Sequence, residues 1–231
     1  MRTTEFASGE YYHIYNRGVD KRQIFLSPLD FERFYESLYL FNDRSYDRKG
    51  GDKVERTLQL AGAEVFGIDR DPLASILSFE LMSNHFHMLI RQERDGGVSE
   101  FMHRVGTGYT NYFNGLYKRT GSLFEGPFHA VQIQSDAQLI HVIRYIHLNG
   151  LDGSSHLWRE GEVLDWDRAL HLLDQYSWSS HHFYMGRDQE LPVLNEQLVH
   201  SLFPDPGEYS TFLRGWSQRE IAHLSPGILW S

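Results

Sequence analysis

Cysteine is missing from all 231 residues. That excludes disulfides, cysteine-based zinc sites and a thiol nucleophile. No apolar run approaches the ~20 residues that span a bilayer. Met1 to Glu10 is polar and has no apolar centre of the kind a secretion signal needs. A soluble, cytoplasmic protein without membrane contact is the expectation. Positive charge is also short. The chain sums to −9, which on its face argues against a nucleic-acid binder. The deficit is uneven, however. Residues 1–150 hold 17 Lys+Arg against 19 Asp+Glu, or −2; residues 151–231 hold the remaining 5 and 12 of the chain's 22 and 31, or −7. The acidity therefore sits in the last third, and a local basic face remains possible before it. What the chain does have is 41% hydrophobic and 14% aromatic residues, enough for a real core, and 13 histidines.

Two of those histidines lie in Ser83-Asn84-His85-Phe86-His87-Met88-Leu89-Ile90. In an extended strand, His85 and His87 point one way while Phe86 and Met88 point the other. A pair of imidazoles on one face offers two metal ligands. Alone the pair says little, because 13 histidines produce about 0.7 His-x-His pairs by chance.

Around it the periodicity predicts a chain of alternating elements. Glu10–Arg17, EYYHIYNR, reads as a strand. Ser27-Pro28 opens a helix with Phe31, Phe34, Leu38 and Phe41 as its core stripe. Residues 43–72 read as a charged insertion with one short helix near Val54 to Ala61. Leu73–Met82 and His85–Gln92 form a hairpin. Val98–Tyr117 reads as a helix that Gly106 and Gly108 weaken, His129–Ile133 as a fourth strand, and Ala137–Leu148 as a helix capped by Ser135-Asp136. This β-α-β-β-α-β order predicts an α+β, ferredoxin-like antiparallel sheet with helices on one face and the other face free. Residues 1–150 are expected to be the core, and residues 151–231 an acidic, mainly helical extension.

On the helix after the fourth strand, Tyr145 and Asn149 are four apart and share a face, with His141 one turn earlier. A tyrosine beside a metal is a competent nucleophile once its proton is lost or shared. A divalent cation on His85, His87 and the Asn149 oxygen would keep positions open for a phosphate oxygen. Tyr109, Tyr112 and Tyr117 are rival nucleophiles, but none has a polar partner placed like Asn149. A hydrolase using bound water at the His pair stays open as another reading.

HFHMLI on a strand with RYIHLN on a later helix resembles the single-tyrosine HUH transposases, and most closely the REP-associated tyrosine transposases of the IS200-like superfamily. HIYNRG, TGYTNYFNGLYKRTGSLFEGPF and YSWSSHHFYMG match as well, so the resemblance runs over about residues 9–187. It implies metal-dependent cleavage and rejoining of single-stranded, hairpin-forming DNA through a 5′-phosphotyrosine, with Mg²⁺ or Mn²⁺ as cofactor. The carried-over residues are Tyr145 as nucleophile and His85, His87 and Asn149 as metal ligands. A monomer is expected, with a dimer as the alternative. A catalytically inactive hairpin DNA- or RNA-binding protein on the same fold is the rival.

The chain departs from the family in the 43–72 insertion, in the acidic tail and at two motif positions. Ser83 stands where the family often has Pro, and Asn149-Gly150-Leu151 stands where Asn-Pro-Val is common. The glycine is expected to loosen Asn149. Arg17, Lys118, Arg119 and Arg144 are the expected DNA contacts, with Lys21 and Arg22 behind them. Phe124, Phe128 and Tyr112 are candidates for stacking on bases. His181 and His182 are expected to be exposed on a helix.

Overall fold

The computed structural model describes residues 5–46, 70–154 and 158–217, together with Leu224. Four strands form the centre: β1 (Tyr11–Arg17), β2 (Ala74–Met82), β3 (His85–Gln92) and β4 (His129–Gln132). The order across the sheet is β2-β3-β1-β4, and every neighbouring pair is antiparallel. With α1 (Pro28–Leu40) and α2 (Gly97–Leu116) as the crossovers, this is the expected ferredoxin-like arrangement. The expected helix near Val54 to Ala61 lies outside the described residues.

Strand alternation divides the side chains between two cores. Tyr12, Ile14, Phe79, Leu81, Phe86, Met88 and Ile90 join α1 and α2 in the first cluster. The helices meet closely because of Gly108: a Cβ there would sit 2.6 Å from a ring carbon of Phe41. This is the physical use of a glycine that otherwise weakens α2. Ser27 and Asp30 form a capping box at the start of α1, and Pro28 occupies the first turn.

The opposite face is not free, which corrects the expectation. It is covered by α3 (Asp136–Leu148) and by the helices that follow, α4 (Trp166–Gln175), α5 (His181–Tyr184), α6 (Glu196–Leu202) and α7 (Pro206–Arg214). Leu77 and Leu89 of the sheet pack there with Val142, Ile146, Trp158, Leu173, Tyr209 and Leu213. Apolar side chains on both faces of α3 require this second cover, since an uncovered apolar face would be costly in water.

A buried polar chain ties the cover to the sheet. His147 of α3 bonds the Ser180 hydroxyl at 2.7 Å and the Tyr209 hydroxyl at 2.8 Å. Tyr209 bonds His181 at 2.8 Å. Ser180 Oγ in turn accepts from Phe79 N at 2.8 Å, on the edge strand β2. His181 is therefore fully buried, contrary to the exposed position expected for it, and His182 is half-buried. Among the described residues no helix is long and apolar enough to cross a membrane.

Candidate active site

The side chains of β3 that face α3 are those of His85, His87 and Leu89. The strand register sets Arg17 beside His85, Tyr15 beside His87, and Glu80 on the far side of His87. His85 Nδ1 lies 2.6 Å from Asn84 Oδ1. An amide oxygen only accepts, so the proton sits on Nδ1 and Nε2 keeps its lone pair. His87 Nδ1 lies 2.9 Å from His13 Nε2. Either ring can donate in that contact; with the proton on His87 Nδ1 and His13 accepting, Nε2 of His87 would likewise keep its lone pair for a metal. Burial holds both rings below the ordinary imidazole range, His85 to about 4. Both are therefore neutral at pH 7, as metal ligands must be.

The α3 helix delivers Tyr145 to the same place. Its ring centroid lies 5.8 Å from that of His87 and 6.0 Å from that of His13, edge-on to each. Tyr145 is buried, and burial raises its pKa, while the neighbouring Arg159 pulls it back. Asn149 is fully buried. Its amide donates to the carbonyls of Tyr145 and Ile146 at 2.7 and 3.2 Å, and its oxygen accepts from Arg159 at 2.8 Å. It is thus held in place, not loosened. Gly150 instead permits a tight exit: a Cβ there would sit 2.9 Å from both Glu80 Oε1 and Leu173 Cδ2. Gly150→Ala is expected to cost about 1–3 kcal/mol of stability, measured by denaturant unfolding, because neither wall can withdraw freely.

Among the described residues no three His, Cys, Asp or Glu side chains are grouped to hold a metal. The available donor set is mixed, two imidazoles and one amide oxygen. It suits a borderline-to-hard divalent cation, and the histidine tautomers fit.

The rival tyrosines are on the other face of the sheet and are already committed. Tyr109 donates to Ile24 O, and Tyr112 and Tyr117 donate to the Asp30 carboxylate. Burial, with Asp30 beside them, raises all three. His141 packs against Phe212 of α7.

The basic residues divide. Arg17 stands at the rim beside His85 and pairs with Glu125 at 3.5 Å. Lys118 is exposed just beyond α2, in a left-handed turn with φ 51°. Arg119 is half-buried and bonds Asn114 Oδ1 at 2.7 Å. Arg144 is a correction: it is 3% exposed, with its guanidinium carbon 3.6 Å from the Phe212 ring centroid. The extension covers it, so it is not a surface contact for DNA. Lys21 and Arg22 lie in an exposed turn, Arg22 bonded to Val19 O. Phe124 is a core residue and Phe128 packs against that core. Both line a groove of about 560 Å³ on the sheet face away from Tyr145.

A family model described as Transposase IS200 like matches residues 65–149. That segment is similar to the IS200-like transposases. The IS200-like segment contains His85, His87, Tyr145 and Asn149, and accounts for just over a third of the chain. The chain is also similar to a solved structure of a REP-associated tyrosine transposase bound to a REP hairpin. That likeness has 12% identity, covers 81% of this chain and 86% of the other, and has a TM-score of 0.44. No curated protein sequence matches the chain.

Four residues at the site were not singled out from the sequence. His13 and Glu80 come from strands flanking β3, and Asp152 and Arg159 come from the chain after α3. Alternation places His13 on the same face as Arg17, but only the register brings it to His87. Nothing in the sequence marks Arg159.

Burial also sets a pH dependence. The pKa of His13 is lowered from 6.5 to about 3 and that of His181 to about 4, and His87 and His147 are lowered too. Folded-state values below the unfolded one mean that the unfolded chain takes up protons first. Stability present above pH 6.5 is therefore lost as pH falls toward 4 and 3. His13 and His181 are each expected to contribute about 2 kcal/mol of that loss by pH 5, with His87 and His147 adding to it in the same direction. Glu80, raised by burial, works the opposite way but is a single group. Thermal melts from pH 8 to 5 should show a steep decline below pH 6.5; a flat profile would contradict this.

Proposed function

We propose that the chain is a transposase-like single-strand DNA endonuclease and strand transferase, with Tyr145 as nucleophile and hairpin-forming DNA as substrate. The observation that carries this reading is that His85, His87 and Tyr145 pack ring against ring while Arg159 joins the Tyr145 hydroxyl to the Asn149 oxygen; His85, His87, Tyr145 and Asn149 all fall within the IS200-like segment. The choice of hairpin DNA rests on the motif resemblance over residues 9–187. Residues 1–150 are read as the catalytic core, and the 151–231 extension as its cover.

His85 Nε2, His87 Nε2 and Asn149 Oδ1 would hold Mg²⁺ or Mn²⁺. Such an ion supplies Lewis-acid polarisation of the phosphate and neutralises its charge. The Tyr145 oxygen attacks phosphorus in line. The new bond is Tyr145 Oη–P, and the bond that breaks is P–O3′. The phenolic proton is released, and the departing 3′ oxygen gains one. The product is a 5′-phosphotyrosine and a free 3′-OH, and attack by a 3′-OH reverses the step. His13, accepting from His87 Nδ1, would hold His87 in the tautomer that leaves Nε2 for the metal. The packed rings of His13, His87 and Trp158 keep the tyrosine oriented. Arg17 and Lys118 are read as the contacts to backbone phosphates.

The test uses end-labelled hairpin DNA with single-stranded flanks, incubated with the protein and Mn²⁺ or EDTA. A denaturant-resistant adduct that needs Mn²⁺ and maps to the peptide containing Tyr145 supports the reading. Hairpin binding without any adduct assigns the chain to the non-catalytic binders. Cleavage without an adduct assigns it to water-using hydrolases.

A further inference from the structure

We propose that Arg159 is a catalytic residue of this site, binding a non-bridging oxygen of the scissile phosphate beside the Tyr145 hydroxyl. The inference rests on the reading of Tyr145 as nucleophile. Arg159 lies ten residues beyond the IS200-like segment, in a short turn at Trp158–Glu160. Its Nη1 is 3.4 Å from Tyr145 Oη, and its Nη2 is 2.8 Å from Asn149 Oδ1. Asp152 grips it from the other side, with Nε and Nη2 at 3.0 and 2.6 Å. The guanidinium carbon lies 4.4 Å from the Trp158 ring centroid. Two hydrogen bonds to one carboxylate and a stacked indole fix the plane of the fork.

This places a cation where charge must be met. A phosphorus poised for attack lies about 3–3.5 Å from the attacking oxygen. Its non-bridging oxygens then fall within hydrogen-bond reach of a donor that already touches that oxygen. A guanidinium has five N–H donors. Asp152, Asn149 and Tyr145 take four, and the fifth, on Nη1, has no partner among the described residues. The side chain is 34% exposed, so a substrate can reach it. Asn149 does not have to choose between partners, because an amide oxygen has two lone pairs and can serve Arg159 and a cation together. Asp152 offsets one positive charge, which lets both cations share the site.

A merely structural arginine would hold the turn and leave the chemistry alone, and a gating arginine would block the metal. The experiment separates these. Wild type, R159A, R159K and Y145F are given hairpin DNA with either a native scissile phosphate or a charge-neutral methylphosphonate. Adduct rates at saturating DNA, hairpin binding, Mn²⁺ affinity by calorimetry and melting temperature are measured. R159A is expected to lose about 10²–10³-fold in rate on the native phosphate. Its hairpin and Mn²⁺ affinities should stay within about threefold, and R159K should recover part of the rate. On the methylphosphonate the R159A penalty should shrink to less than about tenfold, because the charge that Arg159 meets is gone.

An equal penalty on both linkages overturns the inference, as does R159A matching or exceeding wild type, or a parallel loss of Mn²⁺ affinity. If R159A does not fold, the same linkage comparison on R159K decides. A wild type that forms no adduct overturns the reading of Tyr145 and this inference together. A wild-type adduct without a linkage effect overturns this inference alone.

Discussion

Tyr145→Phe is expected to abolish the covalent DNA adduct, a loss of about 10⁴-fold or more, while the protein folds and binds hairpin DNA as before. The substitution suits the site unusually well. The phenyl ring keeps its edge contacts to His13, His87 and Trp158. The hydroxyl's contact to Arg159 is long, at 3.4 Å. Losing it should change stability by less than about 1 kcal/mol, the ordinary net worth of one hydrogen bond. Activity and stability therefore separate cleanly. A gel showing adduct from the Phe variant would remove Tyr145 as nucleophile, whatever the state of the fold.

His87→Ala is expected to fail on two counts, and His85→Ala on one. Either change removes one of the three proposed donors, so the response to Mn²⁺ in calorimetry should weaken by more than about 100-fold, beyond what loss of a supporting contact costs. The stability effects differ because the environments differ. His87 is fully buried and bonded to His13. Its removal leaves a cavity and an unpaired imidazole, at about 2–4 kcal/mol. His85 is half-buried at the sheet's end, with Asn84 as the partner of Nδ1, so its removal should cost about 1 kcal/mol. Equal destabilisation by the two variants would contradict this account. An unchanged Mn²⁺ affinity in either would remove that histidine from the ligand set.

The strand and helix boundaries were readable because local physics decides them. Ser27-Pro28 and Ser135-Asp136 mark helix starts through capping, and alternation in HFHMLI fixes which side chains share a face. The two histidines, the tyrosine and the asparagine were readable for the same reason: each pair has local spacing, and the sheet needs only one topology to join them. What escaped is tertiary. Arg144 looks like surface charge until Phe212, nearly seventy residues away, lies over it. His181 sits in a polar motif but is bonded to Tyr209. The second face of the sheet looked free because a helical tail does not state in its own periodicity where it will dock. Arg159 and Asp152 reach the site through a turn whose path no propensity records.

The polar chain from His147 through Tyr209 and Ser180 to β2 bears on how the molecule is made. On a ribosome the strands and α3 emerge first, and Trp158, Tyr209 and Leu213 later. Until that cover arrives, the face carrying His87 and Tyr145 lies open to water, its imidazoles are solvated and Arg159 has not reached the tyrosine. The site is thus assembled after the sheet, once the chain beyond α3 has been made, and the sheet can pair well before Arg159 and Tyr145 meet.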